Sequence, residues 1–145
     1  MLPINIQAAL LTKVLKLNPK LAEKAEYKIL IVYNNSSKVS KDELISELTS
    51  KKMNVKAVLL YELEQNIKNC DVVYFMPGLQ DKDGICKAYK VLSITGVSKY
   101  VEDGDVSVAF GLINDKPKIF INVTSLKMEE QNLSSDLLRI AKVYK

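Results

Sequence analysis

Tyr27-Lys28-Ile29-Leu30-Ile31-Val32-Tyr33, followed at once by Asn34-Asn35-Ser36-Ser37, is the stretch on which the fold turns. A short, β-branched and almost uninterrupted apolar run predicts a strand covered on both faces, the hallmark of a parallel sheet walled by helices. The four residues after it favour turns and caps, so the strand ends there.

Working outward, the same rhythm repeats. Ser40-Lys41-Asp42-Glu43 predicts a capping box opening a helix to about Lys51, Val55 to Leu60 a second strand, and Glu62 to Lys68 a short helix. Asp71 to Met76 reads as a third strand closed by Pro77-Gly78, Asp81 to Lys90 as a helix, Val91 to Thr95 as a fourth strand and Val97 to Val101 as a helical turn. Val106 to Ile113 and Lys118 to Val123 are separated only by Asn114-Asp115-Lys116-Pro117, too short for a parallel crossover, and therefore form an antiparallel hairpin. Ser134 to Tyr144 reads as a closing helix with Leu137, Leu138, Ala141 and Tyr144 on one face. Before the first strand, Ile4 to Leu17 has helical spacing, and Asn18-Pro19 reads as cap and first residue of a second short helix to about Ala25. The expected architecture is a three-layer α/β/α sandwich in one domain, residues 1 to 145. Its mixed sheet has about six strands, parallel at the start, with a C-terminal antiparallel hairpin and a closing helix.

Composition removes most chemistries. The 145 residues include no His, which excludes a Ser-His-Asp hydrolase, a Cys-His protease and a His-ligated metal within this chain. Two Cys cannot make a four-thiolate site, and five scattered Gly form no phosphate loop, so no metal and no cofactor is expected. Net charge is +4, carried by twenty Lys and a single Arg, Arg139, which disfavours planar recognition of nucleic acid. No apolar run is long enough to span a membrane.

The candidate sites are few. In a flavodoxin-like strand order, Asn34, Asn35, Ser36 and Ser37 after the first strand and Met76, Pro77 and Gly78 after the third flank the topological switch, with Thr95 and Gly96 after the fourth beside them. There a small polar ligand finds amide and hydroxyl partners, and a following helix N-terminus favours an anion. Turn and capping chemistry alone accounts for the same residues. Lys13, Lys16, Lys20 and Lys24 would form one basic stripe if a helix ran unbroken past Pro19. Asp81-Lys82-Asp83-Gly84 and Glu102-Asp103-Gly104-Asp105 read as turns, because neither supplies the ligand ladder of a calcium loop. Asn122-Val123-Thr124 falls in a strand, and Cys70 and Cys86 read as two isolated thiols in preference to a disulfide.

The order of motifs resembles the YfiR/HmsC-like family of bacterial envelope proteins. The resemblance rests on Ala8-Ala9-Leu10-Leu11, on Lys28 to Tyr33, and on Asp71 to Phe75 leading to Pro77-Gly78. It is densest in Val91 to Gly96, Gly104, Lys116 to Ile119 with Ile121-Asn122, and Ser134-Ser135 with Leu137-Leu138 and Ile140-Ala141. It implies a mature periplasmic protein whose export signal has been removed, without enzymatic activity. Such a protein would modulate an inner-membrane signalling protein, a diguanylate cyclase or sensor kinase, by direct contact, and would form a homodimer. The alternative is a small-molecule-binding component of an envelope transport or sensing system. The chain departs from the family in having Leu17-Asn18-Pro19 where relatives carry an aromatic and Trp-Pro. It also has Cys70 without its first-strand partner, and Glu130 or a neighbour where relatives have a glycine.

Overall fold

The apolar run becomes β1 (Lys28–Tyr33), and Ile29, Leu30, Ile31 and Val32 are each at most 1% exposed because both faces are covered. Ile29 and Ile31 point into one apolar cluster, Leu30 and Val32 into the other. The computed structural model describes residues 1–145, and its one sheet of seven strands has the order β2-β1-β3-β4-β5-β6-β7. β1 pairs in parallel with β2 (Asn54–Leu59) on one side and β3 (Val72–Phe75) on the other. β4 (Leu92–Thr95) and β5 (Val108–Ile113) continue the parallel part. β6 (Lys116–Asn122) returns antiparallel to β5, from Ile113↔Lys116 to Val108↔Ile121. The connecting Asn114 and Asp115 sit at φ +52° and +63°, the two positive values a tight hairpin of matching twist requires.

α1 (Ile4–Lys16), α2 (Lys38–Ser50), α6 (Val123–Met128) and α7 (Ser135–Ile140) send Leu11, Leu44, Leu126 and Leu137 into the larger cluster on one face of the sheet. α3 (Leu63–Asn66), α4 (Ile85–Tyr89) and α5 (Ser98–Glu102) cover the other with Leu63, Cys86 and Val101. None of these helices is long and apolar enough to cross a membrane.

The α/β sandwich expected from sequence is present, with four local differences. Residues 18 to 25 make turns rather than a helix. Asn18 Oδ1 accepts from the Lys20 N–H at 3.0 Å while Asn18 Nδ2 donates to Gln131 Oε1, which pins the chain after one turn. The basic stripe is therefore broken: α1 stops at Lys16, and Lys24 is drawn to the buried Asp71 at 2.8 Å. α2 starts at Lys38, ahead of the Ser40 box, because Asn34 and Ser37 cap each other across the 3₁₀ turn Asn35–Ser37 and lead straight into it.

The closing helix ends at Ile140, and Lys142–Tyr144 forms a seventh strand, β7, parallel to β6. The β-branched and aromatic tail of the chain gains more as a sheet edge than as a further helical turn. Tyr144 consequently packs against the second cluster, on the sheet face opposite Leu137. Finally, Asn122 closes β6 and caps α6 by accepting from the Ser125 N–H at 3.0 Å, so Val123 and Thr124 are helical.

Candidate functional site

The carboxyl ends of β1, β2 and β3 open onto a crevice of about 690 Å³. β1 and its loop contribute Tyr33, Asn34 and Asn35, and β2 and the 3₁₀ turn after it contribute Leu59, Leu60 and Tyr61, with Glu64 from α3. The loop after β3 and the start of α4 contribute Leu79, Asp83 and Ile85. A smaller cavity of about 150 Å³ adjoins it, sharing Leu60, Leu79, Asp83 and Ile85 and adding Leu63, Gly78, Gln80, Asp81 and Lys82.

Of the nine residues singled out in the sequence, the structure brings Asn34 and Asn35 into the crevice and Gly78 into its neighbour. Gly78 has φ +92°, a region that disfavours side chains, and its N–H donates to the Tyr100 hydroxyl at 3.0 Å. A Cβ placed on it would lie 3.6 Å from Asn34 Nδ2, so the two loops do meet across the switch. Ser36 is exposed outside the crevice lining, and Ser37 is buried as the cap partner of Asn34. Met76 is core at 1% exposure, and Pro77 lines neither cavity.

Thr95 and Gly96 stand apart. Thr95 Oγ1 donates to the Phe75 carbonyl at 3.0 Å and clips β4 to β3. Gly96 lies against the buried pair formed by the Tyr74 hydroxyl and Gln7 Oε1, where a Cβ would come within 2.5 Å of that oxygen. α1 thereby covers one side of the carboxyl end of β4, while Gly96 lines a separate cavity of about 270 Å³ with Val97, Ser98 and Gly111, away from the crevice.

Leu60, Tyr61, Glu64, Asp83 and Ile85 went unassigned as site residues in the sequence. The signal available was position alone, since each follows the carboxyl end of β2 or β3. The crevice lining holds two carboxylates and no Lys or Arg.

The opposite end of the sheet holds a second polar group that the sequence did not announce. Glu129, just past α6, is fully buried; Ser93 Oγ donates to it at 2.5 Å, the Ser93 N–H at 3.1 Å and Ser107 Oγ at 2.7 Å. Ser107 Oγ also meets Ser125 Oγ at 2.7 Å, so β4, the residue before β5, and α6 converge on one carboxyl group. Burial pushes that carboxyl up to about 7 from its ordinary 4.5, against the pull of the serine hydrogen bonds. Glu130 beside it takes φ +53°, the left-handed conformation natural to glycine.

The two cysteines are free thiols. Burial, then the neighbouring Asp81 and Glu129 charges, pushes Cys86 well up, and burial followed by Asp71 raises Cys70. Neither is activated as a nucleophile. Asp81 is itself raised by burial, and it spends its oxygens on the Ile85 and Cys86 N–H groups at 2.8 and 2.9 Å, which makes Asp81 to Gly84 a capping turn.

No curated protein matches the chain in sequence. Among solved structures it is similar to a conserved domain protein from Vibrio cholerae, at TM-score 0.70 and 14% identity over 99% of this chain and 60% of that one. It is equally similar to the ABC domain in complex with L-Trp from Streptococcus pneumonia, at TM-score 0.70, 13% identity and the same coverages. The chain thus spans about three fifths of the length of these structures, and at such identities the likeness is one of fold. The sequence itself matches the YfiR/HmsC-like model over residues 5–142, and the chain therefore belongs to that family of periplasmic signalling regulators.

Proposed function

We propose that this chain is a non-enzymatic periplasmic regulator that contacts an inner-membrane signalling protein, a diguanylate cyclase or a sensor kinase, through the rim of the crevice at the carboxyl ends of β1 to β3. The observation that carries the reading is exposed apolar surface in one place. Tyr61 is 80% exposed and Leu60 43%, both on the crevice wall. Exposed large apolar side chains gathered beside a cleft mark an interaction surface more than a solvated one. The crevice itself sets no hydroxyl or thiol nucleophile against a base, which fits binding rather than bond-making. Regulation would follow from differential affinity: the domain binds one state of its partner better, and occupancy of the crevice alters that preference.

A photoreactive residue in place of Tyr61, with a second at the exposed Met128 as control, tests this in whole cells. The expected adduct is an inner-membrane protein bearing a cyclase or kinase domain, formed from position 61 and absent from position 128. Adducts from position 128 alone would refute the assignment.

The alternative, a small-molecule-binding component of a transport or sensing system, is favoured by the crevice volume and by the likeness to a domain solved in complex with L-Trp. Gene neighbourhood separates the two readings, an adjacent permease favouring the carrier.

A further inference from the structure

The largest crevice contradicts the charge of the molecule that bears it. The chain carries 21 basic residues against 17 acidic ones, yet none of the basic residues lines the crevice. Its two charged groups are Glu64 and Asp83, and neither is in an ion pair. Glu64 accepts only from the exposed Tyr89 hydroxyl, at 3.2 Å, and Asp83 has no side-chain partner. In the adjoining cavity, Gln80 Oε1 is a buried acceptor that no donor reaches. Lys82 lines that same cavity but is exposed and does not bond to that oxygen; buried acceptors are almost always paired, so an orphan beside a cavity marks a place for a donor. The remaining wall is aromatic and aliphatic: Tyr33, Tyr61, Leu60, Leu79 and Ile85. Ring faces attract cations as well as apolar bodies, and Lys41 Nζ, 4.4 Å from the Tyr33 ring centroid, shows that ring already engaged in this way.

From these we infer that the crevice takes a small organic cation, an amine carried on an apolar body, with its ammonium between Glu64 and Asp83 and its body against Tyr61 and Leu79. The inference rests on the crevice being the recognition site proposed above. An anion would face two carboxylates with no Lys or Arg in the crevice lining itself, Lys41 beyond the Tyr33 ring being paired with Asp42 and Lys82 lining only the adjoining cavity, and a neutral apolar molecule would leave the acceptors idle. The two carboxylates are solvent-exposed, so their pull is screened and added salt weakens it.

Phenethylamine, 2-phenylethanol and 3-phenylpropionate, which share a ring and a short chain and differ in charge, are the probes. Each is titrated into the full chain and followed by backbone amide shifts at Asn34, Leu60, Leu79 and Asp83. The amine is expected to bind at these positions at least tenfold more tightly than the acid, and the Glu64→Gln/Asp83→Asn double variant to lose most of that margin with its melting temperature unchanged. If the acid or alcohol binds as well as the amine, or the double variant keeps the preference, the charge assignment is wrong while the crevice survives as a site. If none of the three shifts these amides, the crevice itself fails as a ligand site and the inference falls with it.

Discussion

The two ends of the sheet treat carboxylates in opposite ways. At the carboxyl ends of β1 to β3, Glu64 and Asp83 stand in solvent beside a crevice, bound to almost nothing. At the other end, Glu129 has no exposure and its oxygens are taken by two serine hydroxyls and a backbone N–H. The free end has groups to offer a ligand, and the caged end has used its groups to hold β4, β5 and α6 together. The comparison teaches that a titratable group with a perturbed pKa need not mark the site of recognition. Here a carboxyl that burial raises strongly is held in a structural cage, whereas the crevice presents carboxylates exposed to solvent.

The largest effect expected from breaking this contrast is at Glu129. Glu129→Ala leaves Ser93 and Ser107 without their acceptor in a dry interior and opens a void, and should lower unfolding free energy by about 3 kcal/mol in urea titrations. Recovery of wild-type stability in this variant would show that the cage is not structural.

The second effect is on pH dependence. A carboxyl raised from 4.5 to about 7 in the folded state binds its proton more tightly folded than unfolded. Its contribution is therefore fully present below pH 4.5 and is lost as pH rises through about 7. Unfolding free energy at pH 8 should lie about 2–3 kcal/mol below its value at pH 5 from this group alone. Glu129→Gln, a permanent mimic of the protonated form, should stay within about 1 kcal/mol of wild type at pH 5 and exceed it at pH 8. Parallel pH profiles for the two proteins would contradict the assignment of the proton to Glu129.

Third, Gly96→Ala sharpens the boundary of the open end. Its Cβ would collide with Gln7 Oε1 and crowd the Tyr74 hydroxyl at 3.1 Å, and a loss of about 1–3 kcal/mol is expected in thermal unfolding. A neutral result would mean that α1 does not pack tightly on the residue after β4. The smallest effect is expected where the groups are free. Glu64→Gln and Asp83→Asn should each change stability by no more than about 0.5 kcal/mol, as measured by urea titration.

Much of the architecture was legible because it rests on periodicity. The β1 run, the alternation through β4 and the four-residue link between β5 and β6 each have one economical reading. β7 was not legible, since Leu137, Leu138, Ala141 and Tyr144 fit helical spacing and only the free edge of β6 decides otherwise. The short helix after Pro19 failed for a tertiary reason as well, the long-range bond from Asn18 to Gln131. Among the candidate residues, Asn34, Asn35 and Gly78 follow parallel strands and line the crevice or its neighbour, a placement that position after a strand is enough to anticipate. Thr95 and Gly96 obey the same rule but lie outside the crevice, Gly96 being packed on one side by Gln7, a contact between residues 89 positions apart that no local pattern encodes. Glu129 was invisible for a related cause: Met128-Glu129-Glu130-Gln131 reads as surface, and the one hint was polar Ser93 inside an apolar strand.

The division of labour between the two ends is tested most directly by the signalling output of cells carrying Tyr61→Ala or Glu129→Gln, measured as cyclic di-GMP or kinase phosphorylation, with melting temperature recorded for each purified variant. Tyr61→Ala should lose regulation while melting as wild type does, and Glu129→Gln should regulate normally. Regulation kept by Tyr61→Ala and lost by a folded Glu129→Gln would place recognition at the caged end and contradict the account.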